Sequence, residues 1–406
     1  MVDEDFAWRL VQELVRIDSS DPGAYENEIE HFIKRLVEQQ LAQLDSPALD
    51  AVQIEELEVL PGRRNLMVTV PGLSDEPRLV YICHMDTVTL GDGWDAGIPP
   101  LGAIVRDDIL YGRGACDMKG GLACAIAALV HTLERVAADG ALPRRGFSLI
   151  CSVDEEDFMR GSEAAIDAGW IGSREWVLDT EPTDGQIQVA HKGRTWFEIE
   201  MTGVTAHASQ PLKGADAVAA MAEAVCSLRH AFAALPVHDE LGPSTITFGQ
   251  IEGGYRPYVV PDHAKVWVDM RLTPPTNTAA AINMVEWAIV AAEAAVPGCH
   301  GSCTVTGDRP AIERDPSSLL LAALKRAADD VTDADTTVGF FTGYTDTAVI
   351  AGKTGNRNCM SYGPGSLALA HKPNEYVPRA DIVRCQQVLI ALADNTLWDA
   401  SGQVGA

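Results

Sequence analysis

The first residues that could do chemistry stand directly after a short apolar run. Residues 79–83 (LVYIC) are apolar throughout, and His84–Met85–Asp86 follows them. Such a run is typical of a strand buried on both faces, and ligands bind beyond the carboxyl ends of strands in open α/β sheets. Side chains at i and i+2 of an extended chain share a side, so Asp86 could orient the imidazole of His84. Taken alone, the pair is more typical of a histidine that satisfies a loop hydrogen bond than of a metal site.

A glycine-rich segment, GRGACDMKGG, spans residues 112–121. It resembles a phosphate-binding loop only superficially. A dinucleotide fingerprint needs glycine where Asp117 stands, and a Walker motif needs Ser or Thr where Gly120 follows Lys119. A carboxylate would also repel phosphate from a helix N-terminus. Glycines around a single carboxylate favour a cation site instead.

Acidic residues follow two further predicted strands. Asp154–Glu155–Glu156 comes directly after the strand predicted over 147–153, and Asp179 and Glu181 end the strand predicted over 176–179. Three consecutive carboxylates repel one another unless cations or protons neutralise them. A solvated acidic loop is the simpler interpretation of an isolated triplet, but the position at a strand end weakens it. Adjacent glutamates can also divide the work, one ligating a metal and the other accepting a proton from water.

The last candidate is a histidine in AHKPNEY (370–376), after a Gly-Pro-Gly turn at 363–365. Imidazole and carboxylate ligands together suit Zn²⁺, with Co²⁺ and Mn²⁺ as possible substitutes. Two ions that share one carboxylate would make a cocatalytic site. The candidate ligands at or near successive strand ends are His84, Asp117, Glu156, Glu181 and His371.

In this order, the motifs resemble the dizinc amidohydrolase and metallopeptidase family. That family includes acetylornithine deacetylase, succinyl-diaminopimelate desuccinylase, aminoacylases and glutamate carboxypeptidases. The resemblance rests on His84-x-Asp86, GRGACDMKGG, the Glu155–Glu156 pair, Glu-Pro-Thr at 181–183 and AHKPNEY, and it covers nearly the whole chain. Any one of these motifs alone would be weak evidence.

The resemblance implies a role for each residue. Asp117 would bridge two Zn²⁺ ions, with His84 and Glu181 completing one site. The second site would be completed by Glu156 and His371, while Glu155 would be the general base and Asp86 would orient His84. Asp179 is the alternative to Glu181 as a ligand, and the family's Glu-Pro-Thr motif favours Glu181.

The resemblance extends to residues 203–218 (GVTAHASQPLKGADAV), in which His207 would reach the active site of a partner subunit and stabilise the oxyanion. Arg271, in the segment VDMR, would bind a carboxylate of the substrate. A surface histidine and a structural ion pair are the simpler interpretations of these two residues. Two departures from the family pattern, Tyr258 and Tyr344, concern substrate contacts and leave the predicted ligands and base intact.

The elements that must position these residues predict two domains. Buried strands alternate with helices up to residue 193, which is typical of α/β proteins. Strands in 194–307 alternate polar and apolar residues, as in WFEIEMTG, so an antiparallel sheet with one solvated face is expected. We expect a catalytic domain over 1–193 and 308–406, with a mixed, largely parallel sheet sandwiched by helices, and an inserted α+β domain over 194–307, which the resemblance implies is a dimerisation (lid) domain. Helices are predicted over 5–17, 26–44, 120–136, 162–168, 214–235, 279–296, 316–330 and 381–396.

Composition excludes several classes of partner. The chain has 406 residues, a hydrophobic fraction of 47% and a formal net charge of −27. This charge argues against nucleic acid or an anionic membrane as a partner. The acidic, amphipathic N-terminus does not resemble a signal peptide, and no apolar run of about 18 residues suggests a membrane span. We expect a cytoplasmic protein.

The sequence therefore predicts a homodimeric metallohydrolase that cleaves the amide bond of an N-acyl amino acid. A dipeptidase or carboxypeptidase of the same family, acting on a short peptide, is the alternative. A dimetal phosphoesterase is less favoured, because only Arg113 and Lys119 could bind phosphate. A non-catalytic binding protein is also less favoured, because it would be expected to lack a metal ligand or the general base.

Overall fold

A computed structural model describes residues 1–398, which divide into two compact units. The first unit comprises Met1–Val189, Arg314–Phe341 and the residues from Thr345 onward. The second comprises Ala190–Glu313 and Thr342–Tyr344. The insertion predicted over 194–307 falls within the second unit.

The first unit is built, within the described residues, on a mixed sheet of eight strands with a parallel centre. Leu79–His84 runs parallel to both of its neighbours, Phe147–Ser152 and Trp176–Asp179, and Cys359–Ser361 extends the parallel part. Leu79–His84 and its two parallel neighbours are buried along their whole length, which explains their apolar sequences. The strand order is Val338–Phe341, Ile187–His191, Cys359–Ser361, Trp176–Asp179, Leu79–His84, Phe147–Ser152, Arg63–Val70 and Gln53–Leu60.

Helices cover both faces of this sheet, as the fold prediction requires. Tyr81 and Cys83 belong to the same hydrophobic cluster as the helix Lys119–Asp139. Ile82 alternates with them and is also fully buried, outside that cluster, and the helix Asp346–Thr354 packs against its strand. The helices of the unit are Phe6–Arg16, Asn27–Leu44, Lys119–Asp139, Arg160–Asp167, Leu319–Thr332, Asp346–Thr354 and Arg379–Leu397, with short 3-10 turns at Pro47–Ala51 and Leu367–Leu369.

The start of the helix Lys119–Asp139 lies very close to the end of a neighbouring strand. A Cβ atom on Gly121 would lie 2.1 Å from the main-chain oxygen of Thr180. Only glycine allows this approach, because any side chain would overlap the main chain of Thr180. The contact brings the loop that carries Asp117 beside the loop that carries Glu181. Small strands complete the unit: Ile104–Arg106, Ile109–Tyr111 and Tyr376–Pro378 form one sheet, and Ser20–Asp21 pairs with Thr87–Val88.

The second unit is an antiparallel sheet covered by two long helices. Along Gly193–Thr202 and His263–Leu272, buried residues alternate with partly exposed ones, as expected for a sheet with one covered face. The helices begin at side-chain caps: Asp216 accepts a hydrogen bond from the amide of Ala219, and Asn277 accepts one from Ala280. The strand order is Thr245–Gly253, His263–Leu272, Gly193–Thr202 and His300–Arg309; the helices are Ala217–Ala233 and Thr278–Ala295, with a 3-10 turn at Pro211–Lys213 and a hairpin of Val237–His238 and Gly242–Pro243.

Two helices among the described residues have the length and composition of a membrane span, Lys119–Asp139 and Thr278–Ala295. The most apolar window of Lys119–Asp139 is 72% buried inside the protein, so this helix is part of the core. The corresponding share for Thr278–Ala295 is 28%, and this helix packs against Ala217–Ala233 and His300–Arg309. Core helices pass the same test, so these two are weak evidence for a membrane span.

The predicted fold class is confirmed: a mixed, mostly parallel sheet with helices, accompanied by a separate antiparallel-sheet domain. The sequence analysis missed the strands Gln53–Leu60 and Thr245–Gly253, which lie at sheet edges. Both are largely exposed, and Gln53–Leu60 carries three glutamates. Gln53–Leu60 has polar residues on both faces, and in Thr245–Gly253 a bulge between Phe248 and Gln250 interrupts the alternation, so neither strand keeps the apolar alternation that identifies a half-buried strand along its length.

Candidate metal centre

The candidate ligands gather where the parallel strands end. His84 is the last residue of its strand, Glu155 and Glu156 follow Phe147–Ser152, and Glu181 follows Trp176–Asp179. Because neighbouring parallel strands end at one edge of the sheet, their loops meet there. Ligand atoms of His84, Asp117 and Glu156 lie within 4.8 Å of one another, and so do those of His84, Glu155 and Glu181.

Asp117 lies between the two candidate histidines. Its Oδ1 is 3.2 Å from Nε2 of His84, and its Oδ2 is 3.5 Å from Nε2 of His371. On the first side, Oε1 of Glu181 is 3.7 Å from Nε2 of His84. On the second side, Oε2 of Glu156 is 2.9 Å from Nε2 of His371. The five side chains therefore form two groups that share the carboxylate of Asp117.

The donor atoms of both groups fit divalent cations. Each group offers one imidazole and two carboxylates, which is a ligand set that Zn²⁺ binds. Ligand atoms about 2 Å from one ion lie about 3.3 Å from each other, close to the separations measured around Asp117. In addition, Oε1 of Glu156 is buried and has no hydrogen-bond partner within the described residues. A buried, unsatisfied carboxylate oxygen is costly, and a cation would satisfy it.

The loop before Asp117 is held by a residue that the sequence analysis did not single out. Oε1 of Glu375 accepts hydrogen bonds from the amides of Cys116 and Asp117, at 2.9 and 3.0 Å. Its Oε2 accepts one from Nη1 of Arg113 at 2.7 Å. Glu375 and Arg113 are both almost fully buried. The pair ties the AHKPNEY segment to the glycine-rich loop, so that Asp117 and His371 are positioned together.

Asp86 contacts His84 through its main-chain oxygen and not through its carboxylate, which the sequence analysis suggests as the contact. Its carboxylate Oδ1 lies 3.7 Å from Nδ1 of His84, beyond hydrogen-bond distance. The main-chain oxygen of Asp86 lies 2.9 Å from this nitrogen and is in range to accept its proton. The carboxylate instead accepts the amides of Glu155 at 3.2 Å and Glu156 at 3.0 Å. Asp86 therefore joins the His84 strand to the glutamate pair.

Asp179, the alternative to Glu181, is turned toward other partners. Its Oδ2 accepts a hydrogen bond from the hydroxyl of Thr347 at 2.8 Å. Nearby, Oδ2 of Asp346 accepts a hydrogen bond from Ser152 at 2.6 Å. Among Asp179 and Glu181, only Glu181 has an oxygen within 4 Å of His84.

Burial and crowding shift the pKa values of the metal-free centre. Burial raises the pKa of Glu155 and Glu181 well above the usual range, and raises that of Glu156 to about 7. Hydrogen bonds to Asp117 and Glu156 raise the pKa of His371 to about 10. Burial also raises the pKa of Asp117, but the hydrogen bonds from His371 and His84 outweigh it and hold that pKa well below the usual range. In the absence of metal, protons therefore neutralise the cluster.

The remaining predicted residues belong to the second unit. His207 is exposed, and its Nδ1 lies 2.8 Å from Oγ of Ser209. The guanidinium of Arg271 donates two hydrogen bonds to Asp269, from Nε at 2.8 Å and Nη2 at 3.1 Å. Of the two departures, Tyr344 is buried and Tyr258 is 60% exposed. The oxyanion role of His207 and the carboxylate-binding role of Arg271 stay predictions.

Comparison with known proteins identifies the family. The model of "Peptidase family M20/M25/M40" matches residues 80–395. The chain belongs to this family. It is therefore an enzyme of a metallopeptidase and amidohydrolase family, a hydrolase, and the resemblance inferred from the sequence is confirmed.

Relatives of this chain are named for two related reactions. A probable succinyl-diaminopimelate desuccinylase from Staphylococcus aureus is 26% identical over 355 residues, covering 81% of this chain and 85% of that protein. An acetylornithine deacetylase from Myxococcus xanthus is 26% identical over 365 residues, covering 87% and 90%.

Among solved structures, the fold matches aminopeptidase PepT from Bacillus cereus with a TM-score of 0.74 at 22% identity, over 96% of this chain and 98% of that one. A dinuclear metal-binding peptidase of the family from Bacillus subtilis matches with a TM-score of 0.68 at 16% identity, over 97% and 99%.

The pKa values predict how metal binding depends on pH. The imidazole and the carboxylates bind a cation only when they are deprotonated. His371, with a pKa of about 10, and Glu156, with a pKa of about 7, hold protons that a cation must displace. Raising the pH from 6 to 8 should therefore strengthen binding of Zn²⁺, by about tenfold per pH unit for the His371 proton and by about tenfold over the whole interval for the Glu156 proton, which titrates within it.

Chelator competition on metal-free protein at several pH values measures this affinity, and calorimetry in two buffers counts the protons released. His371→Ala should reduce the pH dependence, because it removes one of the displaced protons. An affinity that does not change between pH 6 and 8 would contradict the assignment of these ligands.

Proposed function

We propose that this enzyme hydrolyses the amide bond of an N-acyl amino acid, using two Zn²⁺ ions per chain. The observation that carries the proposal is the position of Asp117, with one carboxylate oxygen toward His84 and the other toward His371. In the proposed centre, Asp117 would be shared by the two ions. His84 and Glu181 would complete the first site, and Glu156 and His371 would complete the second. Co²⁺ or Mn²⁺ can replace Zn²⁺ as ions with related ligand preferences.

Glu155 is the proposed general base. When bound, the ions would polarise the substrate carbonyl and lower the pKa of the attacking water. The carboxylate of Glu155 would take the proton from that water and then deliver it to the leaving nitrogen. Glu155 is 8% exposed, and its amide is fixed by Asp86. This burial excludes bulk water around the carboxylate and raises its pKa, and the positive charge of the bound ions would favour the ionised form that a base requires.

The substrate proposal rests on the predicted roles of the second unit and on the relatives. Arg271 would bind the free carboxylate of the amino acid, and His207 of a partner subunit would stabilise the oxyanion. Relatives named as a desuccinylase and a deacetylase, at about a quarter identity over most of the chain, support an N-acyl amino acid as substrate. A dipeptidase or carboxypeptidase remains the alternative, supported by structural neighbours that are a tripeptidase and a carboxypeptidase.

A dimetal phosphoesterase is less well supported. Such an enzyme needs free cationic side chains to bind the phosphate. The two candidates are buried as well as engaged: Arg113 is 3% exposed and donates to Glu375, and Lys119 is 1% exposed and donates from Nζ to the main-chain oxygen of Ile17 at 2.7 Å. A non-catalytic binding protein is disfavoured as well, since the base and all five candidate ligands are present.

Glu155→Gln tests the proposed mechanism. The variant keeps the size of the side chain but cannot accept a proton, so kcat should fall by about 10²- to 10⁴-fold. Metal content and KM should stay near the wild-type values, because Glu155 is not a proposed ligand. The assay follows hydrolysis of N-acetylornithine, N-succinyl-diaminopimelate, other N-acyl amino acids and dipeptides by zinc-loaded protein.

The matched control is Asp157→Asn, in the same loop, where the side chain is 51% exposed. It makes the same acid-to-amide change and should retain wild-type kcat. Wild-type turnover by Glu155→Gln would refute the base assignment. Absence of turnover of every substrate by wild-type protein with two bound metals would refute the substrate class.

We also propose that the second unit mediates homodimerisation. On the helix Thr278–Ala295, Trp287 is 75% exposed and Val290 is 55% exposed, and their i, i+3 spacing places them on one face. Exposed apolar patches of this kind mark interaction surfaces. Within the described residues, Thr245–Gly253 and His300–Arg309 are edge strands of the neighbouring sheet. A second copy, related by two-fold symmetry, would cover the same patch on both chains.

Trp287→Glu should convert the dimer to a monomer, because it places a charge in the proposed apolar contact. Light scattering after size-exclusion chromatography measures the mass of both proteins at equal concentration. Leu319→Glu is the control: Leu319 is 55% exposed in the first unit, and its replacement should leave the dimer intact. A monomeric wild-type protein would contradict the proposal.

The nine cysteines, which all lie within the described residues, are free thiols. This is the pattern of a protein in a reducing compartment, and it supports the proposed cytoplasmic location.

A further inference from the structure

A buried arginine lies among carboxylates beneath the loop that carries Glu155. Arg63, at the start of the strand Arg63–Val70, is 8% exposed. It binds Glu26 through two hydrogen bonds, from Nε at 2.7 Å and from Nη2 at 2.5 Å. Its Nη2 also donates to Asp21 at 2.7 Å, and its Nη1 lies 3.4 Å from Oδ1 of Asp154. One guanidinium thus faces three carboxylates.

Glu26 carries this contact to the main chain of the loop. Oε1 of Glu26 accepts a hydrogen bond from the amide of Asp154 at 3.0 Å, so the residue before Glu155 is held from below. The carboxylate of Asp154 is itself bound by Arg160, from Nε and Nη2, both at 2.6 Å. Asp154 has a φ of 66°, in the left-handed region that costs free energy for a residue other than glycine. The hydrogen bonds on both sides of Asp154 hold it in this conformation.

Asn65, on the same strand, binds the main chain at both ends of the loop that carries Glu155. Asn65 accepts a hydrogen bond from the amide of Val153 at 3.1 Å and donates one to the main-chain oxygen of Gly161 at 2.8 Å. The loop is therefore tied at both ends to Arg63–Val70, and its tip carries Glu155 and Glu156. Lateral movement of this tip would displace Glu155, the proposed base, whereas Glu156, as a proposed ligand, would be retained by the bound ion in the zinc-loaded protein.

The charges around Arg63 explain why the position suits arginine. Asp21, Glu26 and Asp154 surround it, and Asp86 adds a further negative charge that acts on Glu26. The planar guanidinium can satisfy several of these oxygens at fixed angles, which a lysine ammonium cannot do. Removing Arg63 alone would leave Glu26 buried and unpaired, a costly change.

We propose that Arg63 and Glu26 act as a buried positioning pair, which fixes the main chain of Asp154 and thereby holds the Glu155 carboxylate at the reaction centre. This inference rests on the role given to Glu155 in the proposed function. Neither residue contacts the substrate. Without the pair, the loop would sample conformations in which Glu155 is out of reach of the attacking water, so kcat would fall while KM would not.

The test uses the double variant Arg63→Met/Glu26→Met, which removes both charges together, so that Glu26 is not left as a buried carboxylate without its arginine, and which also removes the oxygen that accepts the Asp154 amide. Hydrogen exchange of the metal-free protein gives the first readout: a peptide covering 153–161 should exchange at least tenfold faster, while one covering 79–84 should not change. The second readout is the activity of the zinc-loaded protein, for which kcat should fall at least tenfold at unchanged KM and metal content.

Two further variants complete the design. Arg63→Lys keeps the positive charge but loses the planar fork, so its exchange and kcat should lie between the wild-type and double-variant values. Arg135→Met/Asp394→Asn removes another arginine–carboxylate pair of the first unit, at 2.7 Å and about a third exposed, and should leave both readouts unchanged.

Wild-type exchange of 153–161 in the double variant would overturn the inference, and so would a wild-type kcat. A fall in kcat that follows loss of bound metal would also overturn it, since the pair would then act on metal binding. If wild-type protein hydrolyses no substrate in the panel, the proposed function fails, and the exchange measurement alone still decides whether the pair holds the loop.

Discussion

Electrostatic repulsion among buried carboxylates is the constraint on which the rest of the structure depends. Asp117, Glu155 and Glu181 are each less than a tenth exposed and lie around the same histidine. Burying negative charges together is strongly unfavourable unless cations or protons compensate them. In the metal-free protein, raised pKa values supply protons. A pair of divalent cations would replace these protons. Because the cations would relieve the repulsion among the carboxylates, that repulsion would contribute to the affinity of the centre for metal.

The fold meets this constraint by fixing the loops rather than the side chains alone. The parallel strands deliver the loops to one edge, and buried ion pairs beneath them hold the main chain. Arg113 with Glu375 fixes the Asp117 loop, and Arg63 with Glu26 contacts the loop that carries Glu155. In both cases a carboxylate accepts main-chain amides while an arginine neutralises it. Such pre-organisation keeps catalytic groups at the distances that the chemistry needs.

The residues of the candidate centre could be selected from the sequence because their signals are local. A buried apolar strand followed by His84, or by the Glu155–Glu156 pair, indicates both the candidate residue and its place at the sheet edge. Arg63 and Glu375 carry no comparable signal, since their partners are distant in sequence and an arginine or glutamate is ordinarily exposed. The same holds for Asp86: the pattern predicts contact with His84, but which of its oxygens makes the contact depends on the fold.

The central claim is that two cations share the carboxylate of Asp117. Anomalous diffraction at the zinc edge, from crystals of zinc-loaded protein, tests it most directly. The account predicts two peaks on opposite sides of Asp117, one beside His84 and Glu181 and the other beside Glu156 and His371. A single peak, or two peaks that do not both contact Asp117, would contradict it.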